Sequence, residues 1–289
     1  MKTKLYVCCG PGGVGKTTIA AALAIRVAQT GRKTAVLTID PAKRLADSLQ
    51  IGALRNQPVA VPLEKGRLDA MMLDPAETFD HFVLRYAPTP LAAEKLLKNR
   101  YYQFASRKMG GVQEYMAMLR LLTLFESGTY DAIILDTPPS RNALEFLKAP
   151  ERMQHLMEQS ALRFFSSSSG GFRALAFGAE MISKGLRLFL GAEMIEDLGL
   201  FFEHFSSIGK ELHEHSKRAD HLLHSENSQF FLIASPHQPI AEAIEFQQEL
   251  RKEEYPFAGY IINRAPPSLS ITPEDFNQMN AEQQAWIRW

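Results

Sequence analysis

Near its N-terminus the chain reads Gly10-Pro11-Gly12-Gly13-Val14-Gly15-Lys16-Thr17-Thr18. This stretch matches the phosphate-binding pattern G-x-x-x-x-G-K-[ST] at every position. Glycines let backbone N–H groups curl around an anion, because a side chain would block the approach and φ must become positive. Lys16 is predicted to reach the β- and γ-phosphates of a nucleotide, and the Thr17 hydroxyl to ligate Mg²⁺. The stretch therefore predicts a nucleotide-binding loop.

The segments on either side of this loop support that interpretation. The apolar run from Lys4 to Cys9 predicts a buried strand, and the Ala-rich run from Thr18 to Ala28 predicts a helix that ends near Gly31. The order strand, glycine loop, helix points the helix N-terminus at a bound phosphate.

The remaining apolar runs predict an α/β fold. They are near-continuous rather than alternating, which is typical of parallel strands covered on both faces. We expect a P-loop NTPase: a mostly parallel, twisted sheet with helices on both faces, in a single domain spanning residues 1–289. The runs are Lys33–Ile39, Arg67–Leu73, Tyr130–Leu135, Phe230–Ala234 and Gly259–Ile262.

Between the strands, residues 76–128 and 150–226 are predicted to be helical insertions that form a client-binding subdomain. Residues 153–205 are rich in Met and Phe, side chains that suit an adaptable apolar groove, although ordinary helix-to-sheet packing explains most of them equally well. Four histidines between 213 and 224 invite a metal site. Because no acid or cysteine closes such a site at ligand spacing, we favour a solvated helix face.

Composition limits the classes of partner. Lys plus Arg and Asp plus Glu balance at 32 each, so there is no basic surplus to favour nucleic acid. The only cysteines, Cys8 and Cys9, are neighbours on one strand and point to opposite faces, which suits core packing rather than a disulfide or a shared metal. We expect a cytoplasmic protein without a signal peptide, because the first strand begins at Lys4 and no apolar stretch is long enough for a membrane span.

Acids at strand ends complete the predicted site. Three strands lead into Asp40, Asp74 and Asp136, and the carboxyl ends of parallel strands carry the ligand site, so these acids should gather beside the loop. We expect Asp136 to hold the Mg²⁺ shell, and Asp40 to orient and deprotonate the attacking water close to the metal. Helix capping or a surface turn is the alternative for Asp40. Asn263 is predicted to read the adenine edge, with Arg264 beside it.

Several of these motifs in register resemble the anion-transporting ATPase family, which includes the arsenite pump ATPase and the ATPase that targets tail-anchored membrane proteins. The resemblance runs from Met1 to about Arg264. It is carried by Gly10–Thr18, Thr38–Ala42, Leu68–Pro75, Asp136–Leu147 and Ile262–Arg264.

The resemblance implies a nucleotide-switched homodimer that hydrolyses ATP with Mg²⁺ and uses helices to hold or release a hydrophobic protein or membrane-protein partner. Residues 40–49 and 136–141 would be switch loops, ordered by the γ-phosphate and relaxed after hydrolysis. The catalytic residues would be Lys16, Asp40 and Asp136, with Thr17, Asp40 and Asp136 at the metal. The nucleotide-binding residues would be Gly10, Pro11, Gly12, Gly13, Val14, Gly15, Lys16, Thr17, Thr18, Asn263 and Arg264.

Three departures from the family pattern stand out. The deviant Walker A loop of the family has a lysine at its second position that reaches the partner's phosphates; here that position is Pro11, so Arg44 or Arg141 would have to substitute. The chain has no Cys-x-x-Cys pair, which argues against a zinc-clasped dimer, an arsenite site and a bridging iron–sulfur cluster. It ends at Trp289, where members usually add a strand and loop over the adenine, so it is either a short member or truncated.

Three functions are compatible with these residues. The first is an ATPase whose cycle controls an apolar client-binding surface. The second is a nucleotide sensor that hydrolyses poorly because Pro11 replaces the activating lysine. The third is a P-loop transferase whose switch loops hold a small acceptor.

Overall fold

The computed structural model describes residues 3–40, 44–158, 192–236 and 240–265. Within these ranges the strands form one sheet of seven, in the order β3-β4-β2-β5-β1-β6-β7. All neighbouring pairs run parallel except β3 and β4, which are antiparallel. The strands are β1 (Lys4–Cys9), β2 (Lys33–Thr38), β3 (Val59–Val61), β4 (Arg67–Met72), β5 (Ala132–Asp136), β6 (Ser228–Ala234) and β7 (Phe257–Ile262).

Ten helices lie in the described ranges and connect these strands. They are α1 (Lys16–Gln29), α2 (Arg44–Leu49), α3 (Pro75–Tyr86), α4 (Pro90–Lys98), α5 (Arg100–Lys108), α6 (Val112–Glu126), α7 (Ser140–Leu147), α8 (Ala149–Glu158), α9 (Ala192–His224) and α10 (Ile240–Lys252). The predicted α/β P-loop fold, with a mostly parallel sheet covered on both faces, is confirmed. The six apolar runs each overlap an observed strand, and their bounds agree or differ by one to two residues at every end.

Two apolar cores lie on opposite faces of the sheet. One face packs on α6, α7, α9 and α10, and the other packs on α1 and α2. Cys9 belongs to the first core and Cys8 to the second, and both are free and fully buried. Burial raises the pKa of the Cys8 thiol well above its usual value and that of Cys9 to about 12, so both stay protonated at neutral pH. The predicted core-packing role of these thiols is confirmed.

A third core joins helices to helices. It is built from α3, α4, α5, α6, α8 and α9, and its largest buried side chains include Phe79, Tyr102 and Tyr115. The helices in residues 76–128 therefore pack against one another as well as against the sheet. Their division into a separate client-binding subdomain stays a prediction. Residues 159–191, which hold most of the Met- and Phe-rich stretch, lie outside the described residues.

Candidate active site

The glycine loop is shaped by close backbone approach. Gly10 has φ +147°, and a Cβ there would lie 2.3 Å from the carbonyl oxygen of Ile233 on β6. Gly15 has φ +91° and occupies the N-cap of α1, and its missing side chain leaves room for the amide of Asn263, 2.3 Å from the position of a Cβ. These glycines let the loop between β1 and the N-terminus of α1 pass close to Ile233 and Asn263. That N-terminus carries unpaired N–H groups and the positive end of the helix dipole, so it attracts phosphate.

Lys16 lies folded over the loop that it follows. Its Nζ donates to the backbone carbonyl oxygen of Pro11 at 2.8 Å, and only 8% of the residue is exposed. Burial lowers the pKa of Lys16, while the nearby Asp136 carboxylate opposes that shift. An ammonium held this way is a compact charge with two further N–H donors, which suits a phosphate oxygen that enters the loop.

Asp136 is the buried carboxylate at the end of β5. Its Oδ2 accepts hydrogen bonds from the hydroxyls of Thr17, at 2.8 Å, and Thr38, at 3.2 Å. Burial raises the pKa of Asp136 to about 6, although both hydroxyls and the Lys16 ammonium act in the opposite direction. Its Oδ1 is buried and has no hydrogen-bond partner in the described part of the chain. A buried carboxylate oxygen left in this way is normally satisfied by an ion or by water.

The residues around Asp136 fit a hard divalent cation. Mg²⁺ takes oxygen ligands and keeps several of its waters, usually with one or two carboxylates and the phosphates of a substrate. The hydroxyl of Thr17 and the unpaired Oδ1 of Asp136 supply that chemistry side by side. Asp136 therefore lies where the sequence predicted it, next to Thr17.

Thr38 is a site residue that the sequence analysis missed. It is paired in register with Asp136 across β2 and β5, which brings its hydroxyl to the carboxylate. The same hydroxyl accepts the backbone N–H of Asp40 at 3.2 Å and so connects the acid on β5 to the loop after β2. The signal was present in the sequence as a threonine two residues before Asp40.

Asp40 lies at the rim of the site. Its Oδ2 accepts from Nη1 of Arg44 at 3.1 Å, one turn along on α2. Both side chains act electrostatically on Lys16, which places them within the field of the phosphate loop. Arg44 is thus a cation near this loop, and its role as a substitute for the family's lysine stays a prediction. Residues 41–43 and the side chain of Arg141 lie outside the described residues.

Asn263 and Arg264 follow β7. The Asn263 Nδ2 donates to the carbonyl oxygen of Val14 at 2.8 Å, and its Oδ1 accepts from the backbone N–H of Arg264. Both ends of this amide therefore support the loop and the turn, an arrangement that the sequence did not reveal. The Arg264 side chain is exposed, and its backbone has φ +59°. An adenine-binding role for either residue stays a prediction.

Asp74 does not join the other two acids, so the expectation that all three gather beside the loop was wrong. Its Oδ1 accepts from the backbone N–H of Glu77 and caps α3, which begins with Pro75. β4 lies three strands from β1 in the sheet order, whereas β5 lies next to it. β2, which leads into Asp40, lies two strands from β1, so a strand that ends in Asp predicts a site acid only when the strand lies close to the loop strand in the sheet order.

Comparison with known proteins identifies the family of this chain. The family model described as Anion-transporting ATPase matches residues 3–288. The chain belongs to the anion-transporting ATPase family. A Prosthecochloris vibrioformis protein that carries the name arsenical pump-driving ATPase is 33% identical over 149 residues, 50% of this chain and 35% of that relative. ATPase ASNA1 homolog 2 of Paramecium tetraurelia is 32% identical over 177 residues, 59% of this chain and 52% of the relative.

A third member covers more of the chain at lower identity. ATPase GET3B of Arabidopsis thaliana is 24% identical over 289 residues, 93% of this chain and 66% of the relative. The chain thus spans between about a third and two thirds of the length of these curated relatives. The family description and the names of these three relatives all contain the word ATPase.

The four histidines between 213 and 224, all on α9, differ in their surroundings. His215 is buried, so a solvated face was the wrong interpretation for this residue. Its ring packs edge-on against Phe82 and Tyr86, each 5.4 Å away between ring centres. His221 and His224 are exposed, and His224 stacks on Tyr255.

Among the described helices of this family member, none is both long enough and apolar enough to span a bilayer.

Proposed function

We propose that this chain hydrolyses ATP with Mg²⁺ and that the reaction controls an apolar helical surface. The observation that carries the proposal is the group formed by Lys16, Thr17 and Asp136 around the glycine loop, with Oδ1 of Asp136 buried and unpaired. When bound, Mg²⁺ would neutralise charge on the β- and γ-phosphate oxygens. Thr17 and Asp136 would hold it, and the ammonium of Lys16 would move from the Pro11 carbonyl to the phosphates.

Asp40 would orient the attacking water and accept its proton. The carboxylate is partly exposed, near enough to Lys16 and Asp136 to act on both electrostatically, and held by Arg44. A base must lie within hydrogen-bond reach of the water that it activates, and a carboxylate on a switch loop can reach it once the γ-phosphate orders the loop. Arg44 would then be released from Asp40 to stabilise charge on the phosphoryl group.

The ion pair between Arg44 and Asp40 also favours the second candidate, a sensor with weak hydrolysis. If Arg44 keeps Asp40 engaged after ATP binds, the water has no base and the ATP state persists. Steady-state phosphate release with Mg²⁺ separates the two functions. Rapid turnover supports the ATPase, and tight ATP binding with negligible turnover supports the sensor.

The decisive variant for nucleotide chemistry is Lys16→Ala. It should abolish ATP binding or turnover, because Lys16 is the cation inside the loop and charge-assisted bonds in a dry cradle contribute several kcal/mol, roughly 10²-fold or more. Lys65→Ala is the matched control, since Lys65 is exposed and lies after β3, away from the loop. Unchanged affinity and turnover in a folded Lys16→Ala protein would refute the proposed function.

The client-binding part of the proposal concerns the helices after β4. Four large apolar side chains there are about half exposed or more: Leu84 on α3, Leu91 on α4, Phe104 on α5 and Met109 just beyond it. Exposed apolar groups that share one region mark interaction surfaces. We propose that they belong to a surface for a hydrophobic protein or membrane-protein partner in a homodimer. The expected cytoplasmic location stays a prediction.

A synthetic apolar helix of about 20 residues is a suitable probe, since that length is typical of a membrane-spanning segment. Its affinity should differ between ATP-bound Asp40→Asn protein and ADP-bound wild type, because the switch loops would hold different states. Phe104→Asp should weaken the interaction. Equal affinity in both nucleotide states would mean that the ATP cycle does not control this surface.

A further inference from the structure

A cavity lies within the helical layer, apart from the phosphate loop. Its volume is about 240 Å³, and its walls come from α3, α6 and α9. Neither the glycine loop nor any strand contributes to its lining. The cavity is somewhat smaller than the roughly 300–1,000 Å³ typical of sites for drug-sized molecules, so it suits a small metabolite.

The described ionisable side chains that line this cavity include basic groups and no carboxylate. Arg85, Arg120 and His81 line it, and none of the described lining residues is an acid. Nη2 of Arg120 donates to the carbonyl oxygen of Asn56 at 3.0 Å, but its Nε is buried and has no partner among the described residues. Burial lowers the pKa of Arg120, while Glu77 acts in the opposite direction. A buried guanidinium is costly when its charge is poorly paired, and an anion beside Arg120 in the cavity would lower that cost.

The opposite wall is aromatic and carries a defined hydrogen-bond chain. Nδ1 of His215 lies 2.7 Å from the carbonyl oxygen of Glu211, which can only accept, so Nδ1 carries a proton. Burial lowers the pKa of His215 and keeps its ring neutral at pH 7, so Nε2 is an acceptor. The hydroxyl of Tyr86 therefore donates to Nε2, at 3.3 Å. Phe82 and Tyr86 present flat apolar surface beside this chain.

We propose that the cavity between α3, α6 and α9 binds a small organic anion, whose carboxylate or phosphate group pairs with Arg120 and whose apolar body packs on Phe82 and Tyr86. Guanidinium donors match the geometry of both oxyanions. The proposal does not depend on the ATPase function, because the cavity shares no residue with the nucleotide site.

The hydrogen-bond chain couples anion binding to a proton. When His215 becomes protonated, Nε2 donates to Tyr86 instead, and the Tyr86 hydroxyl is free to donate to the anion. An anion should therefore raise the pKa of His215, and it should bind more tightly as the pH falls from about 8 to 6, by up to about 10-fold per unit. The charged and titratable groups that face His215 or share its cavity are His81, Arg85 and Tyr86 on α3, Arg120 and Glu126 on α6, and Glu211 and Arg218 on α9.

The test follows the His215 ring by NMR while the full chain is titrated with benzoate, benzamide or inorganic phosphate. Benzoate and benzamide have the same shape and differ in charge, and phosphate lacks the apolar body. We expect benzoate to give a saturable shift of the His215 signals that strengthens at lower pH, with benzamide at least about 10-fold weaker. Phosphate binding as tight as benzoate would show that the apolar body contributes nothing, which contradicts the proposed contact with Phe82 and Tyr86. No saturable shift with either anion would overturn the proposal.

Three variants locate the interaction. Arg120→Met should weaken benzoate at least about 10-fold, whereas Arg152→Met, an equal charge change at an exposed position on α8, should leave it unchanged. Tyr86→Phe keeps the guanidinium and should weaken the pH dependence of binding, because protonation of His215 then no longer frees a hydroxyl for the anion. This variant tests the site even if loss of the Arg120 contact with Asn56 impairs folding. Equal benzoate affinity in folded Arg120→Met, or an unchanged pH profile in Tyr86→Phe, would refute the proposal.

Discussion

At the nucleotide site, the effects of a side chain on ATP binding and on turnover can be separated, and Asp40 is the clearest example. Asp40→Asn removes the base but keeps the shape, so ATP should bind nearly as in wild type while turnover falls about 10²-fold or more. Filter binding and steady-state phosphate release measure the two effects. Asp47→Asn, the same charge change at an exposed position on α2, is the control. An equal loss of ATP binding in Asp40→Asn would instead give Asp40 a structural or metal-binding task.

Asp136 should respond differently, because its unpaired Oδ1 is available to the metal or to one of its waters. Asp136→Asn should first raise the Mg²⁺ concentration needed for half-maximal turnover, since an amide is a weaker partner for a hydrated cation than a carboxylate. The measurement is a Mg²⁺ titration of phosphate release at saturating ATP, with Asp47→Asn again as the control. A normal Mg²⁺ requirement together with a lower maximal rate would argue that Asp136 does not hold the metal.

At the scale of strands and helices, the sequence predicted those elements that a single stretch of residues is enough to identify. Near-continuous apolar runs and a complete glycine loop identify six parallel strands and the first helix, because burial on both faces leaves no room for polar alternation. The strand Val59–Val61 was missed because it is short and antiparallel at the sheet edge. The cap formed by Asp74 and the burial of His215 were missed for another reason: each depends on which elements pack together, and that is decided by the assembled sheet and helices.

The packing of β1 against β6 gives a prediction at this scale. A Cβ on Gly10 would meet the carbonyl oxygen of Ile233 at 2.3 Å, and that oxygen belongs to a buried strand that cannot move alone. Gly10→Ala should therefore lower the free energy of unfolding by about 1–3 kcal/mol, the usual range for overpacking. Urea denaturation measures it, and Gly52→Ala, where a Cβ meets nothing within 4 Å, should stay within about 0.5 kcal/mol of wild type. Equal stability of both variants would show that the backbone around Gly10 and Ile233 can make room for a methyl group at no cost.

Across the whole molecule, one continuous stretch of chain, α6 followed by β5, joins the helical core to the nucleotide site. α6 packs in the helical core and leads into β5, which ends at Asp136. A structural change at the phosphate loop can therefore reach the helices through β5 and α6, both of which lie in the described part of the chain. This connection is the physical basis for expecting nucleotide state to affect a helical surface.

The homodimer is the remaining expectation at this scale, and Pro11 tests it. Pro11→Lys restores the charge that the family pattern places at the second loop position. If two copies meet over ATP, the new ammonium would approach the partner's phosphates and should accelerate hydrolysis at concentrations where dimers form. A cation supplied in trans contributes roughly 10³–10⁵ in other phosphate-loop enzymes, and we expect less here because Arg44 already lies at the site.

The control is Pro11→Met, which removes the proline ring without adding charge and so separates loop flexibility from the effect of the ammonium. Phosphate release should be measured across a range of protein concentrations, alongside sedimentation with ATP and Mg²⁺. A rate gain that grows with concentration in Pro11→Lys but not in Pro11→Met supports a dimer that completes each site from its partner. A monomeric profile with unchanged rates in both variants would mean that the chain turns over ATP, or holds it, as a single copy, with Arg44 as the cation that acts in cis.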